Sequence, residues 1–575
     1  MTRRDPRPLP LVLLLALAPL AAPAACGGDG AGPAADTSLA DSASDALDAA
    51  PPADTVPPED VVAQCPIDKL PGATFWRGPY GVHRGELAAD FTVPLVGGGT
   101  WQLSQHFNGC DIVLVLVDAV TLSAKDPRPA WDDDLGLAGL LARTPDNVHI
   151  LFVSNDAADA AAATARLDAL ALRLDATLAD LGPGQAAHWL ERLHVVATPA
   201  AALGGWLPAA LAGPFRDGLA IDRTQRLRGL GSLADVTQPD AALEAAGAWP
   251  WRNSIAYAAH EAQHLNADHG RTRALAARAE LIVPLFRGEV LSEQAEVDVD
   301  LPAGLDAYGS LMVDLTLACP DPDAPELANN CGAWDYLASL TVRDDDAPGG
   351  PVEREVARFI TSYHRESHAV IDATALLPLL ASGGARHFRW SFAPSWNPQP
   401  TATDIRLVFG DKDAPRRPRH LFPLFTGGPF NSGYNALREP IDLTIPAAAT
   451  KVELWVLTTG HGAGTAQCAE FCGHQHRFEV NGHVHFQTFP EAGTQSGCLD
   501  ALVRGGVTPN QAGTWWYGRG GWCPGAPVAP WVVDVTSEVT AGKEARVTYR
   551  GLFAGGEPPD EGGDIVLTSY LVVWE

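Results

Sequence analysis

At 575 residues, with 46% hydrophobic and 19% charged side chains, the chain is too long for one hydrophobic core and too apolar to be disordered, so about three to four domains are expected. A net charge of -29 excludes a nucleic-acid-binding role, because a phosphate backbone calls for a basic footprint. An acidic surface of this kind keeps an exported protein soluble.

Arg3, Arg4 and Arg7 precede an apolar run over residues 9–20, and Ala24-Ala25-Cys26-Gly27 follows. This pattern predicts a signal peptide over residues 1–26 ending in a lipobox-like Cys26, the expected lipidation site. Pro23 sits where such a box usually has leucine, so plain cleavage after Ala25 stays open. The run is too short to span a membrane. Either outcome exports the chain, to the outer membrane or cell surface, to the periplasm, or into the medium. Residues 27–62 are rich in Ala, Asp and Pro and lack the apolar side chains needed to offset ordering, which predicts a disordered linker.

Residues 63–248 read as an α/β domain. Asp111 to Val117 and Val148 to Val153 are continuous apolar runs of strand length, as expected for strands covered on both faces. An Ala-rich helical pattern over residues 157–181 stops at Gly182-Pro183, and Leu227 to Leu230 completes a hairpin with residues 218–222. Ala89-Asp-Phe-Thr-Val-Pro-Leu-Val96 followed by Gly97-Gly-Gly-Thr-Trp101 resembles the start of a thioredoxin-like, redoxin-type domain. Where a redox member carries Cys-x-x-Cys, this chain has residues 119–125 without a cysteine. With no thiolate pair the domain is expected to be redox-silent, a spacer or partner-binding unit.

Residues 249–282 are predicted to form a linker helix. His260-Glu261-Ala262-Gln263-His264 fits HExxH, whose two histidines could ligate zinc with the glutamate as base. His269 falls too close to act as a well-spaced third ligand, so no metal is expected and the histidines are assigned to an exposed helix face. A zinc peptidase on His260, Glu261 and His264 remains the third functional reading.

From residue 283 the texture changes to alternating strands and Gly/Pro turns. Residues 297–301 and 309–317 have the period of half-buried antiparallel strands, and residues 338–342 and 356–360 form a predicted hairpin. A second set of strands starts near Arg406 and runs on through residues 451–457, 477–480, 531–534 and 564–573. So many short strands predict two tandem antiparallel β-sandwiches, over residues 283–412 and 413–575.

The densest chemistry lies in residues 460–527. Cys468-Ala469-Glu470-Phe471-Cys472 can close a small ring that orients Glu470, and Arg519-Gly520-Gly521-Trp522-Cys523-Pro524-Gly525 sets an arginine and a tryptophan beside a Gly-rich turn. Ordinary stapled loops explain the cysteine spacing equally well. These blocks, with His461-Gly462, Asn481-Gly482 and Gly497-Cys498, resemble the second domain of the bacterial peptide-N-glycosidase F family. Asn329-Asn330-Cys331-Gly332-Ala333-Trp334-Asp335-Tyr336 and Arg358-Phe-Ile-Thr-Ser-Tyr363 resemble the catalytic strand of its first domain.

The resemblance implies side-by-side jelly rolls with the site in the cleft between them, and a glycopeptide amidase that cuts the bond between asparagine and the first N-acetylglucosamine of an N-glycan. It implies Asp335 as the main catalytic carboxylate, with Glu470 facing it. Arg519 would donate to a carbonyl or carboxylate, Trp522 and Trp396 would offer faces to sugar, and His461 would hydrogen-bond a hydroxyl. The motif blocks imply disulfides Cys319–Cys331, Cys468–Cys472 and Cys498–Cys523, which leaves Cys65–Cys110 by elimination. Two departures fall beside the substrate: Pro394 stands at or near the position of a further family acid, and Tyr336 stands where the well-known form has arginine. The expected partners are N-linked glycoproteins or glycopeptides, met by a monomer that needs no cofactor. A catalytically silent glycan-binding or scaffold protein is the second reading.

Overall fold

The computed structural model describes residues 63–118, 130–155, 159–247, 251–327, 330–345, 347–462, 469–502, 506–560 and 562–575. The expected signal peptide, Cys26, the linker over 27–62, the loop over 119–125 and Cys468 all lie outside the described residues. Among the described residues no helix is long and apolar enough to cross a membrane.

The first region is built on a five-stranded mixed sheet. Its strands lie in the order Leu193–Val195, Val148–Val153, Ile112–Val117, Leu219–Ile221, Leu227–Gly229, the first three parallel and the last two antiparallel. Every residue of Ile112–Val117 and Val148–Val153 is buried, which explains why neither run alternates. A helix over Ala160–Ala179 is capped by Asp159, whose carboxylate accepts from the amides of Ala161 and Ala162. Its Leu167, Leu170, Leu174 and Leu178 face the sheet at helical spacing, and Pro183 opens the next helix, Pro183–Leu190. The Thr92–Pro94 and Thr100–Gln102 strands pair antiparallel around Gly97, Gly98 and Gly99, all at positive φ. A Cys65–Cys110 disulfide ties the start of this region to the foot of the Ile112–Val117 strand.

The helix Ala258–Arg278 departs from expectation in its surroundings. His260 is 7% and Glu261 2% exposed, so the motif lies inside the protein and not on an open face. The cause is tertiary: Ala258, Ala259, Ala262 and Leu265 join a core that holds the first region's sheet together with Tyr363, Leu502, Val507, Trp515, Trp516 and Ala526. Sequence periodicity locates the apolar stripe of a helix but not what covers its flanks.

Two antiparallel sandwiches follow. In the first, the sheet Ala279–Leu291, Thr401–Gly410, Ser310–Ala318, Ser367–Asp372 faces the sheet Gln294–Leu301, Gly384–Ser391, Leu337–Asp344, Val352–Ile360 over a common core. The stretch around Arg406, expected to open the second set, belongs here, since Thr401–Gly410 pairs on both edges with strands of the first sandwich. In the second, Pro418–Pro429, Asp564–Trp574, Lys451–His461 and Trp531–Asp534 face Ile441–Thr444, Glu544–Phe553, His474–Val480 and His483–Thr488.

The sandwiches are joined by apolar packing and by backbone. Ile360, Leu376, Trp455, Leu457, Trp522, Tyr570 and Val572 share a core, and Ala526–Pro527 adds an antiparallel bridge to the Val352–Ile360 strand. Arg358, fully buried, donates to Thr459 Oγ1 at 3.0 Å and the Val566 carbonyl at 2.8 Å across the seam, while Glu355 on its own strand supplies the counter-charge at 2.6 Å. A buried guanidinium with its donors satisfied costs little to bury and fixes the two units in one register.

Candidate active site at the seam of the sandwiches

Asp335 sits two residues before the strand Leu337–Asp344, at the end of the first sandwich that faces the second. Its flanks are pinned. The Cys319–Cys331 disulfide lies just upstream, His364 N donates to the Gly332 carbonyl at 2.7 Å, and Gln399 Oε1 accepts from Ala333 N. Thr361 brackets the acid from both sides: its hydroxyl donates to the Trp334 carbonyl at 2.6 Å and accepts from Tyr336 N at 2.8 Å. Little conformational freedom is left for Asp335 to lose on binding.

Glu470 arrives from the second sandwich on a loop closed against two glycines. Gly520 N donates to the Glu470 carbonyl at 2.7 Å, and Gly460 N donates to the Gly520 carbonyl at 2.8 Å. A Cβ on Gly460 would come within 1.7 Å of the Ala469 carbonyl oxygen, and one on Gly520 within 2.4 Å of the same atom, so neither position admits a side chain. Arg519 precedes this turn, and the Cys498–Cys523 disulfide holds the far side of its loop.

Arg519 brings the two acids together. Its Nη2 donates to Asp335 Oδ2 at 3.2 Å, and its Nε lies 3.5 Å from Glu470 Oε1. The guanidinium side chain is 1% exposed, whereas the side chains of Asp335 and Glu470 keep 17% and 18% of their surface open. Nη1 is spent on the carbonyls of Thr514 and Tyr517, at 3.2 and 2.8 Å. The buried Nε is turned toward Glu470 at a distance longer than an ordinary hydrogen bond.

Burial dominates the charge balance of both carboxyls. It raises Asp335 above the ordinary aspartate value, against the opposing pull of Arg519 and a hydrogen bond from the Tyr363 phenol. It raises Glu470 likewise, with Arg519 opposing and the negative charge of Asp335 adding to the shift. Two acids of elevated pKa over one cation are an arrangement in which one can hold a proton while the other is ionised. Tyr363, whose phenol is pushed up by burial and by the Asp335 charge, is a site residue that sequence reasoning left without a role. Its signal was present, as the last residue of the Arg358-Phe-Ile-Thr-Ser-Tyr363 block.

The remaining expected residues divide. Trp522 is 6% exposed, donates through Nε1 to the Gly460 carbonyl at 2.7 Å, stacks with His461 at 5.2 Å, and has the Arg519 guanidinium 4.9 Å from its ring centre. It therefore supports the arginine and presents no open face to a sugar. His461 is bonded to Thr459 Oγ1 at 2.8 Å and is lowered to about 3 by burial and by Arg358, so it stays neutral and inward. Trp396, by contrast, is 78% exposed and meets Tyr336 edge-on at 6.2 Å, with the Tyr336 hydroxyl accepting from Asn397 Nδ2 at 2.7 Å. Trp334 is 51% exposed. A cavity of about 620 Å³ on the second sandwich, lined by Tyr434, Leu437 and Arg438 among others, borders none of the acids or Arg519.

The HExxH residues form a different structure. Glu261 accepts from Gly231 N at 2.9 Å, Arg365 Nη1 at 2.8 Å and Asn510 Nδ2 at 2.9 Å, while burial lowers His260 and His264 to about 4. A glutamate paired with Arg365 and only 2% exposed inside the core is closed to a water it would have to activate. Among the described residues no group of three or more His, Cys, Asp or Glu side chains is placed to hold a metal ion.

Over the C-terminal half, two β-sandwiches thus meet over a buried arginine and two partly open acids. Residues 430–572 match the family described as Peptide-N-glycosidase F, C terminal. The peptide-N(4)-(N-acetyl-beta-D-glucosaminyl)asparagine amidase F of Elizabethkingia miricola is 24% identical over 284 residues, which is 46% of this chain and 73% of the relative. Over its C-terminal half the chain is thus related to that amidase. A crystal structure of a peptide-N(4)-(N-acetyl-beta-D-glucosaminyl)asparagine amidase aligns with a TM-score of 0.41 at 19% identity, over 51% of this chain and 96% of that one. The structure described as PNGase F, a glycosylasparaginase from Flavobacterium meningosepticum, aligns with 0.39 at 18% identity over 51% and 95%, and PNGF-II with 0.39 at 13% over 53% and 67%.

Proposed function

We propose that the chain is an exported glycopeptide amidase that hydrolyses the amide between an asparagine side chain and the first N-acetylglucosamine of an N-glycan, leaving aspartate and releasing the glycan as its glycosylamine. The observation that carries this reading is Arg519 held between Asp335 and Glu470 at the seam of the sandwiches, on motif residues that resemble those of the amidase family. Amide hydrolysis requires an activated water, a place for negative charge on the carbonyl oxygen and a proton for the departing nitrogen. Asp335 in its ionised form is the base for water. Glu470, with its carboxyl raised by burial, is suited to hold the sugar and the water near that base. The positive charge of Arg519, held between the two acids, favours the developing oxyanion. The bond cut is C–N, so the spacing rule for glycosidase carboxylates does not apply. Trp396, the exposed aromatic, is the sugar platform of this reading.

We extend the proposal to the rest of the chain. The mixed sheet order of the first region, with a hairpin ahead of it, supports a thioredoxin-like domain without a dithiol, and its close packing supports an internal structural role. The three disulfides among the described residues support an oxidising, exported location, with or without an anchor at Cys26. The second reading, a glycan-binding protein without turnover, is favoured by Tyr336, whose hydroxyl is tied to Asn397 in place of the family's arginine. The test is conversion of a defined glycopeptide by the wild type and by Asp335→Asn, read by mass spectrometry. Release by the wild type alone supports the amidase, and equal release or none by both rejects it.

A further inference from the structure

The helix Ala258–Arg278 from the first region reaches the loop that carries Arg519 through apolar packing and through one buried carboxylate, Glu261. We infer that Glu261 is a positioning residue of the site, which anchors residues 508–519 of the second sandwich to the first region and so sets the height at which Arg519 meets Asp335 and Glu470. The catalytic part of this inference rests on the amidase reading; the anchoring does not.

The geometry runs residue by residue. Glu261 Oε1 accepts from Arg365 of the first sandwich and from Asn510 Nδ2 of the loop, so one acid joins three parts of the chain. Asn510 Nδ2 also donates to the Tyr257 carbonyl at 2.9 Å, and the Asn510 carbonyl accepts from Ser232 N at 2.5 Å. The approach is close enough that a Cβ on Gly231 would lie 2.1 Å from the Asn510 carbonyl oxygen and from Arg365 Nη1. The next residue, Gln511, accepts from Tyr363 N at 2.8 Å and donates to the Thr508 and Pro524 carbonyls at 2.7 and 2.8 Å. Further along, Trp516 meets Trp251 of the first region edge-on at 5.7 Å. Thr514 lies between these anchors and Tyr517 directly follows the last, and their carbonyls hold Arg519 Nη1. A shift at Asn510 is therefore passed to the guanidinium, and to Tyr363, through hydrogen bonds and not through sandwich packing.

The test uses the full chain with Asn510→Gly, Asn510→Asp and Glu261→Gln. Asn510 has φ +51°, which glycine tolerates, so Asn510→Gly removes the carboxamide and leaves the Glu261–Arg365 ion pair in place. Asn510→Asp sets a second acid against Glu261 and is expected to act in the same direction but more strongly. Amide hydrogen exchange over residues 508–526 is expected to quicken by about tenfold or more in Asn510→Gly, while the strand Lys451–His461 keeps its protection. Arg519 charge holds down the acids beside it, so the acid limb of the rate profile is expected to move up in pH, the same direction as in Arg519→Gln. Unchanged exchange in both Asn510 variants overturns the anchoring whatever the activity does. Faster exchange with an unmoved acid limb and unmoved kcat overturns the positioning role. A wild type that releases no glycan rejects the amidase reading, and the exchange result still decides the anchoring.

Discussion

Two arginines in this molecule each lie between two acids, and they are put to opposite uses. Arg365 has Glu261 at 2.8 Å and Glu326 at 2.7 Å, with all three side chains under a tenth exposed. Arg519 has Asp335 at 3.2 Å and Glu470 at 3.5 Å, and there the cation is buried while both acids reach solvent. In the first trio short contacts and extra donors from Gly231 and Asn510 saturate Glu261, which makes it a joint. In the second the contacts are longer and both acids keep part of their surface open, which is the side from which a substrate can reach them. Charge composition alone does not separate a structural trio from a reactive one; distance, saturation and the side left open do.

The comparison can be broken most sharply at the acids themselves. Asp335→Asn is expected to lower kcat by about 10²- to 10⁴-fold with melting behaviour close to wild type, measured on a glycopeptide and by thermal denaturation. Arg365→Met is expected to do the reverse, costing about 3–5 kcal/mol of stability in denaturant unfolding because Glu261 and Glu326 are left buried without their partner. If the two variants gave the same pattern, the distinction between joint and site would fall. Arg519→Gln sharpens it: kcat should fall by roughly 10²- to 10³-fold, and the acid limb should rise further above the ordinary carboxylate range, since the cation that opposes burial at Asp335 and Glu470 is gone.

A smaller effect concerns how the first region is held. His368 hydrogen-bonds Asp268 of the helix at 2.5 Å and Asp314 of the first sandwich at 2.9 Å, with Arg271, Arg228 and Arg406 around the two acids. Burial alone would lower His368, but the bonds to the two acids outweigh it and raise it from 6.5 to about 9. A histidine raised on folding stabilises fully below its unfolded value and loses that contribution as pH rises through the folded one, here from about 6.5 to about 9. Stability against urea should therefore decline across that window, and His368→Gln should flatten the decline. The smallest effect belongs to Trp396→Ala, expected to raise KM roughly three- to tenfold with kcat and stability nearly unchanged.

Much of this was legible in the sequence, for reasons that differ by residue. Ile112–Val117 and Val148–Val153 announced covered strands because burial on both faces leaves almost no polar positions, His149 being the one exception. Asp335 and Arg519 emerged only through resemblance, since an aspartate before a strand is most often a turn residue. Glu470 was marked by its short cysteine loop. What stayed hidden depends on distant parts of the chain: that His461 covers Trp522, that Asn510 and Arg365 saturate Glu261, and that Tyr363 turns toward Asp335. Residue type and spacing encode a face, whereas the identity of its cover is set by the tertiary fold.

The chemistry proposed for the seam is tested most directly by running a glycopeptide with wild type and Asp335→Asn in heavy-oxygen water and reading the peptide by mass spectrometry. The account predicts that the wild type leaves aspartate at the attachment site carrying one heavy oxygen, and that Asp335→Asn leaves the glycopeptide intact. A sugar retained on the asparagine, or equal labelling by both proteins, would contradict it.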